Sequence, residues 1–319
     1  MLNVKVIFFI LGILISILGT FMVIPLCIDL VSQSKSPYIF FYSMCITLFI
    51  GISFVLAFKT KKINLSVRDT IVITSLSLPV LCLFACMPFY VNDDFNNFPN
   101  AFFEATSGLT TTGASVYENI SSLPKGILFW RASLQWLGGL GIIIFAIGIL
   151  PALNIGGMQL FTQEWNEKSQ DLRYRAKELA KSISIIYLIF TLIVFFLLIF
   201  FNLSVFDALC HAMTTVATGG FSNYSSSIGY FDSLYVEIVI VIGMLLSSLP
   251  FTLYIAASRK NYSIFDDSQV LTFFIIVLFF TTILSIWLHF QNNIDFLISF
   301  RLALFNGVSL MTGTGYTTE

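Results

Sequence analysis

Three short polar runs interrupt an otherwise oily chain: "GLTTTGASV" from Gly108, "TTVATGGFSN" from Thr214 and "LMTGTGYTTE" from Leu310. Aligned on their shared Thr-Gly dipeptide, the cores are Thr111-Thr112-Gly113, Ala217-Thr218-Gly219 and Gly313-Thr314-Gly315. The residue types point to ion chemistry rather than catalysis. Glycine reaches backbone angles that turn successive carbonyls to one side without a Cβ clash. Carbonyls gathered in that way replace the hydration shell of a monovalent cation, which is how potassium filters work. The reading is therefore of a path for a monovalent cation, with no catalytic group and no covalently bound cofactor. A lone Thr-Gly turn is more often a plain helix C-cap. Three of them in like surroundings favour the pore reading.

The surroundings decide what must hold such runs in place. The chain has 319 residues, 57% apolar and 10% charged, with a mean hydropathy of +0.91. Soluble domains run near about 45–50% apolar and 25% charged, so the expected fold class is an all-α polytopic membrane protein. Charge-free windows at 6–28, 36–58, 70–92, 132–163, 182–206, 238–258 and 268–294 are each long enough to span. Seven crossings are expected, with the fourth helix ending near Leu150-Pro151. The first window is too long for a signal peptide and lacks a cleavage site. Before each polar run lies a segment too short to cross: "FPNAFFEATSGLT", "SVFDALCHAMTTVA" and "DFLISFRLALFNGVSLM". These read as re-entrant helices whose negative C-terminal ends face the ion path. Irregular backbone at membrane depth survives only buried in protein or lining a wet cavity, which fits a pore loop. The repeated unit is thus helix, re-entrant helix, polar run, helix.

Basic residues cluster in alternate loops, at 59–69, 151–181 and around 259, with Lys5 at the N-terminus. The positive-inside rule then makes the N-terminus cytoplasmic and turns all three runs outward. Cys27, Cys45, Cys82, Cys86 and Cys210 form no CxxC pair and read as packing residues. His211 and His289 read as hydrogen-bonded packing residues, and no HExxH or other metal motif is present. Arg131 reads as snorkelling to the outer interface, with a pair to Glu104 as the alternative. Gly138, Gly139, Gly141 and Gly148 read as a close helix-packing face. "EWNEKSQDLRYRAKELAKS" reads as a solvated amphipathic helix, with a docking helix as the alternative.

"FFEATSGLTTTGASV", "FWRASLQWLGGLGIIIFAIGILP" and "ALCHAMTTVATGGFSN" resemble the TrkH family of the Trk/Ktr/HKT superfamily of potassium transporters, over nearly the whole chain. The resemblance implies four helix–pore loop–helix repeats around one path, with one key glycine per repeat. Carried over, those glycines are Gly113, Gly219 and Gly315. The implied organisation is two extra N-terminal helices (1–62), repeat one (63–160), repeat two (161–262) and an incomplete repeat three (263–319). Sodium-selective members of the plant branch carry Ser at the first filter glycine, so Gly113 favours potassium. A TrkA-like cytosolic nucleotide-binding subunit, a homodimer and the bacterial inner (cytoplasmic) membrane with its lipid are implied; nucleic acid is not. Against the four-repeat pattern, the chain reads as cut short after the third run, which leaves a non-functional transporter remnant as the rival reading. A polytopic membrane enzyme is the other rival, and the apolar windows hold no convergent catalytic cluster for it. The expectation is a non-enzyme.

Overall fold

The computed structural model describes residues 2–34, 37–60, 66–92, 97–153, 169–258 and 267–318. Among them the regular structure is entirely helical. In chain order the helices are α1 Val4–Phe21, α2 Val23–Val31, α3 Tyr38–Ala57, α4 Val67–Ala85, α5 Met87–Val91, α6 Phe98–Leu109, α7 Lys125–Leu153, α8 Ser169–Phe200, α9 Val205–Val216, α10 Leu234–Ser248, α11 Phe251–Ser258, α12 Ser268–Asn292 and α13 Phe296–Met311. Six spans, formed by α1 with α2, α3, α4 with α5, α7, α8 and α12, are long and apolar enough to cross a membrane. The bent pair α10–α11 would make a seventh. This is a multi-pass membrane protein.

That bent pair departs from the unbroken crossing expected over 238–258. Its two halves meet at 86°. Pro250 denies the residue before it helical angles, and Leu249 is extended at φ −76°, ψ 148°. α7 is helical through Pro151 to Leu153, close to the end expected near Leu150-Pro151. The polar segment expected as a separate amphipathic helix is, from Ser169 onward, the first part of the 32-residue α8. Residues 164–168 of that segment lie outside the described residues, as do 61–65 and 259–266 of the basic loops.

The chain divides into two compact units. The first holds Met1–Leu109, Ser122–Leu134 and Gly141–Ala180. Its α1 and α3 pack almost backbone to backbone. A Cβ on Gly12 would come within 2.7 Å of the Phe54 Cβ, and one on Gly51 within 2.6 Å of the Ser16 hydroxyl. Between apolar helices in lipid, such close approach supplies the packing that holds them together. Ser66 and Asp69 cap α4 reciprocally, with Asp69 N–H donating to Ser66 Oγ at 3.2 Å and Ser66 N–H to Asp69 Oδ2 at 3.0 Å. Asp69 also accepts from the backbone N–H of Asn3 at 2.7 Å, tying the start of α1 to α4. Arg131 does not snorkel. It is 1% exposed and donates through Nε to Glu104 Oε1 at 2.7 Å. Taking charges out of water is costly, and a buried guanidinium needs its carboxylate.

The second unit holds Thr110–Ser121, Gln135–Leu140 and Lys181–Glu319. Ser204 caps α9 by accepting from Asp207 N–H at 3.1 Å, and Asp295 caps α13 by accepting from Leu297 N–H at 2.8 Å. α10 lies against α9 and α13, and α12 against α13. Close approach again sets one contact, because a Cβ on Gly243 would sit 2.7 Å from Thr215 Cγ2. Arg301 on α13 reaches Glu237 on α10 in a fork, Nε to Oε2 and Nη2 to Oε1, both at 2.7 Å.

Candidate functional site

All three polar runs belong to the second unit. The helices that feed them end at Leu109, Val216 and Met311. Counted from those ends, the runs share one backbone pattern. The second residue past the helix is left-handed: Thr111 (φ 55°), Thr218 (φ 50°) and Gly313 (φ 73°). The fourth is a glycine with positive φ: Gly113 (81°), Gly220 (76°) and Gly315 (83°). Hydrogen bonds repeat with the same register. Thr218 N–H donates to Thr215 O and Gly219 N–H to Thr214 O, just as Gly313 donates to Leu310 O and Thr314 to Ser309 O. The first half of each of these turns is therefore an ordinary left-handed helix C-cap. The second positive φ, two residues on, is what carries the chain beyond a cap.

This register moves one sequence assignment. Pairing the Thr-Gly dipeptides sets Gly219 opposite Gly113, whereas the backbone sets Gly220 there, because α9 ends one residue later than that pairing implies. Gly219 instead matches Thr112 and Thr314.

The runs interlock in sequence. A Cβ on Gly113 would fall on the carbonyl oxygen of Gly219, and 3.5 Å from that of Thr314. A Cβ on Gly220 would fall on the carbonyl oxygen of Thr314, with its carbon 2.9 Å away. In both cases the fourth residue of one run takes the third carbonyl of the next. A Cβ on Gly315 would meet nothing within 4 Å. Expected site residues are thus brought together at Gly113, Gly219 and Thr314, with Gly220 added. Thr111, Thr112, Ala217, Thr218, Gly313 and Gly315 lie in the same three turns.

Side chains brace the turns from behind. In runs one and three, hydroxyls of the first and third residues meet: Thr110 with Thr112 and Thr312 with Thr314, each at 2.7 Å. Run two has Ala217 and Gly219 at those places. There, Gln135 of α7 donates from Nε2 to Gly219 O at 2.6 Å and accepts at Oε1 from Phe221 N–H at 3.0 Å. Fully buried His211 holds the next residue. Its Nδ1 lies 2.8 Å from Asp207 O, which only accepts, so the neutral ring takes the Ser222 hydroxyl hydrogen at Nε2, 3.0 Å away. Asp207 in turn accepts from Asn223 Nδ2 at 2.9 Å and the Tyr224 hydroxyl at 3.1 Å. Burial, and secondly the Asp207 carboxylate, push the Tyr224 hydroxyl above its usual range and keep it a donor. Tyr316 of run three shares a hydrogen bond with the Thr214 hydroxyl, and Ser309 Oγ donates to Tyr316 O at 2.7 Å. Among the described residues, no group of three or more His, Cys, Asp and Glu side chains could hold a metal ion.

Known proteins share this chain's sequence and fold. The family model described as "TrkH: Cation transport protein" matches residues 38–318. The chain belongs to the TrkH family. The Trk system potassium uptake protein TrkH of Vibrio parahaemolyticus is 35% identical over 318 residues, covering 97% of this chain and 65% of the relative. TrkG of Escherichia coli K12 is 32% identical, covering 99% of this chain and 66% of the relative. The crystal structure of the potassium transporter TrkH from Vibrio parahaemolyticus superposes with a TM-score of 0.90 at 32% identity, covering all of this chain and 66% of that one. The chain thus spans just under two thirds of the length of these relatives. The TrkH family is one of cation transport proteins rather than enzymes.

Sequence reasoning passed over Gln135, Asp207, Ser222, Asn223 and Tyr316, while His211 is the hydrogen-bonded packing residue expected. Gln135 did carry a signal. It is an amide inside a charge-free window, where a polar group needs a partner. Of the glycine face on α7, Gly139 fits the packing reading, since a Cβ there would lie 3.0 Å from the Tyr187 hydroxyl and 3.4 Å from Ala217. Gly141 has nothing within 4 Å.

Proposed function

We propose that this chain passes potassium across the bacterial inner membrane, with the backbone oxygens of the three Thr-Gly turns replacing the ion's water. The observation that carries the reading is the interlock, in which one glycine of each turn takes a carbonyl of the next. Three like turns stacked around one place would present a ring of fixed dipoles at a spacing set by backbone, not by mobile side chains. Thr111, Thr112, Gly113, Ala217, Thr218, Gly219, Gly313, Thr314 and Gly315 form the proposed potassium-lining set, extended by Gly220.

The remaining parts of the proposal follow the same resemblance. The repeat boundaries are 63–160, 161–262 and 263–319 after two leading helices in 1–62. The N-terminus is cytoplasmic because Lys5 and the basic loops share a side. A TrkA-like nucleotide-binding partner would meet those basic loops, and a second copy would complete a homodimer.

The test is ion-specific stabilisation of the purified chain in lipid, comparing KCl, NaCl and choline chloride at equal ionic strength. A ligand bound only by the folded state at a hundredfold excess over its Kd stabilises by about 2.7 kcal/mol. Potassium should raise the unfolding midpoint above the other two salts. Equal midpoints in all three would overturn the reading. Potassium uptake in a transport-deficient strain, with the chain alone and with a separate chain carrying a fourth turn, then separates binding from transport.

A further inference from the structure

We infer that Gln135 is a positioning residue for the ion path: its amide is the brace of the second turn, standing in for the hydroxyl pair that braces the first and third. Three observations carry this. First, the paired threonines at the first and third places of runs one and three are replaced in run two by Ala217 and Gly219, which have no hydroxyl. Second, the nearest atoms to a Cβ built on Gly219 are all from the Gln135 amide, with Oε1 at 2.5 Å and Nε2 at 2.8 Å besides Cδ. The amide fills the place where a third-position side chain would begin. Third, Gln135 is completely buried and engages the turn at both ends of its amide, Gly219 O and Phe221 N–H. Those two contacts bracket Gly220, the glycine that takes the Thr314 carbonyl.

The chemistry explains why a glutamine suits the place. One carboxamide offers a donor and an acceptor about 2.3 Å apart, so a single rigid plane fixes a carbonyl and the N–H two residues later. Gly219 O is also the oxygen on which a Gly113 Cβ would fall. Fixing it therefore sets the spacing between the first two turns as well as the shape of the second. A brace inside the turn, as in runs one and three, fixes only its own run. The amide of run two reaches in from α7, so the position of that helix and the shape of the second turn are linked.

This inference rests on the reading of the turns as the ion path, and the test keeps the two apart. Thermal unfolding of the whole chain in lipid is measured for Gln135→Ala, Gly219→Ala and the double variant. Each single change should lower the midpoint by a few degrees. The double should fall no further than Gln135→Ala alone, because the added methyl then enters the space the amide has left. Costs that simply add would overturn the brace. The ion readout is the potassium-over-sodium difference in midpoint. Gln135→Met keeps the volume and removes both hydrogen bonds, so it should abolish that difference, and Gln135→Ala with Ala217→Thr and Gly219→Thr should restore part of it by supplying the first- and third-position hydroxyl pair. An unchanged difference in Gln135→Met would reduce Gln135 to packing and overturn its positioning role. Absence of any potassium-specific difference in the parent chain would sink the ion-path reading and the positioning role with it, while the unfolding cycle still decides whether Gln135 shares the space at Gly219.

Discussion

Gly219 and Gly220 are adjacent, yet substituting alanine at each should give unequal losses of ion selectivity. At Gly220 the backbone has φ 76°. Holding an L-residue with a Cβ in that region costs roughly 1–2 kcal/mol. The new Cβ would also fall on the Thr314 carbonyl, with the Gly315 carbonyl carbon 3.3 Å away. Both obstacles are backbone of run three, so no side chain can rotate aside, and overpacking of this kind adds about 1–3 kcal/mol. The sum, about 3 kcal/mol, corresponds to a midpoint fall of roughly 6–12 °C. More tellingly, the Thr314 carbonyl must shift, and the potassium-over-sodium difference should disappear. At Gly219 the angle is not left-handed and the obstacle is a side-chain amide. Gly219→Ala should therefore weaken the potassium preference less than Gly220→Ala does, because the Gln135 side chain can shift, at the cost of part of its brace, where the Thr314 backbone cannot. The assay is unfolding in KCl against NaCl, together with rubidium and sodium uptake once transport is reconstituted. Selectivity lost at Gly219 and retained at Gly220 would refute the register counted from the helix ends and restore the dipeptide pairing.

Further expectations follow from the same contacts. Thr218→Gly should raise the unfolding midpoint by about 2 °C, since it relieves a β-branched residue held at φ 50° and reproduces Gly313; a lower midpoint would show that the Thr218 hydroxyl bond to Ala217 O outweighs the strain. Arg131→Met should cost about 3–5 kcal/mol by stranding Glu104, while Arg131→Met with Glu104→Leu should recover much of it; equal losses in both, read by thermal unfolding, would contradict the buried pair. Gly113→Ser should weaken preference for potassium over sodium, because its Cβ would displace the Gly219 carbonyl; unchanged flux ratios would remove Gly113 from the path. Ser66→Ala should destabilise α4 by about 1 kcal/mol through loss of its reciprocal cap, measured as a small midpoint shift with ion specificity intact.

Much of this architecture was legible from composition and segment length. Crossing helices in lipid must satisfy their own backbone, so charge-free windows mark them well. The three short helices were equally visible, being too brief to span. Legibility failed where the deciding term was a contact. Arg131 near a helix start reads as snorkelling, and only the 2.7 Å contact decides for the alternative, its pair with Glu104. The α1–α3 packing depends on Gly12 and Gly51 facing each other, and neither lies in a motif. The bend at Pro250 was marked in the sequence, but an apolar window of spanning length hides a break, since hydropathy does not sense backbone angles.

The second turn shows why the site itself was only partly readable. A left-handed residue just past a helix is usually glycine, so glycine is the natural marker from which to count. Here that place is held by Thr111 and Thr218 in two of three runs and by Gly313 in the third. The marker is displaced, and the dipeptide Thr-Gly lines up residues that do different work. What the three runs share is the glycine two residues further on, where a neighbouring backbone oxygen forbids any Cβ at Gly113 and Gly220. That constraint comes from another part of the chain and leaves no local signature. The plain cap and the pore loop are therefore not mutually exclusive readings. The turn begins as a cap, which satisfies the helix end, and the cap fixes the direction in which the next two residues must leave. Only the second positive φ, braced by hydroxyls in two runs and by Gln135 in the other, turns that exit into a surface of carbonyls that the following run can meet.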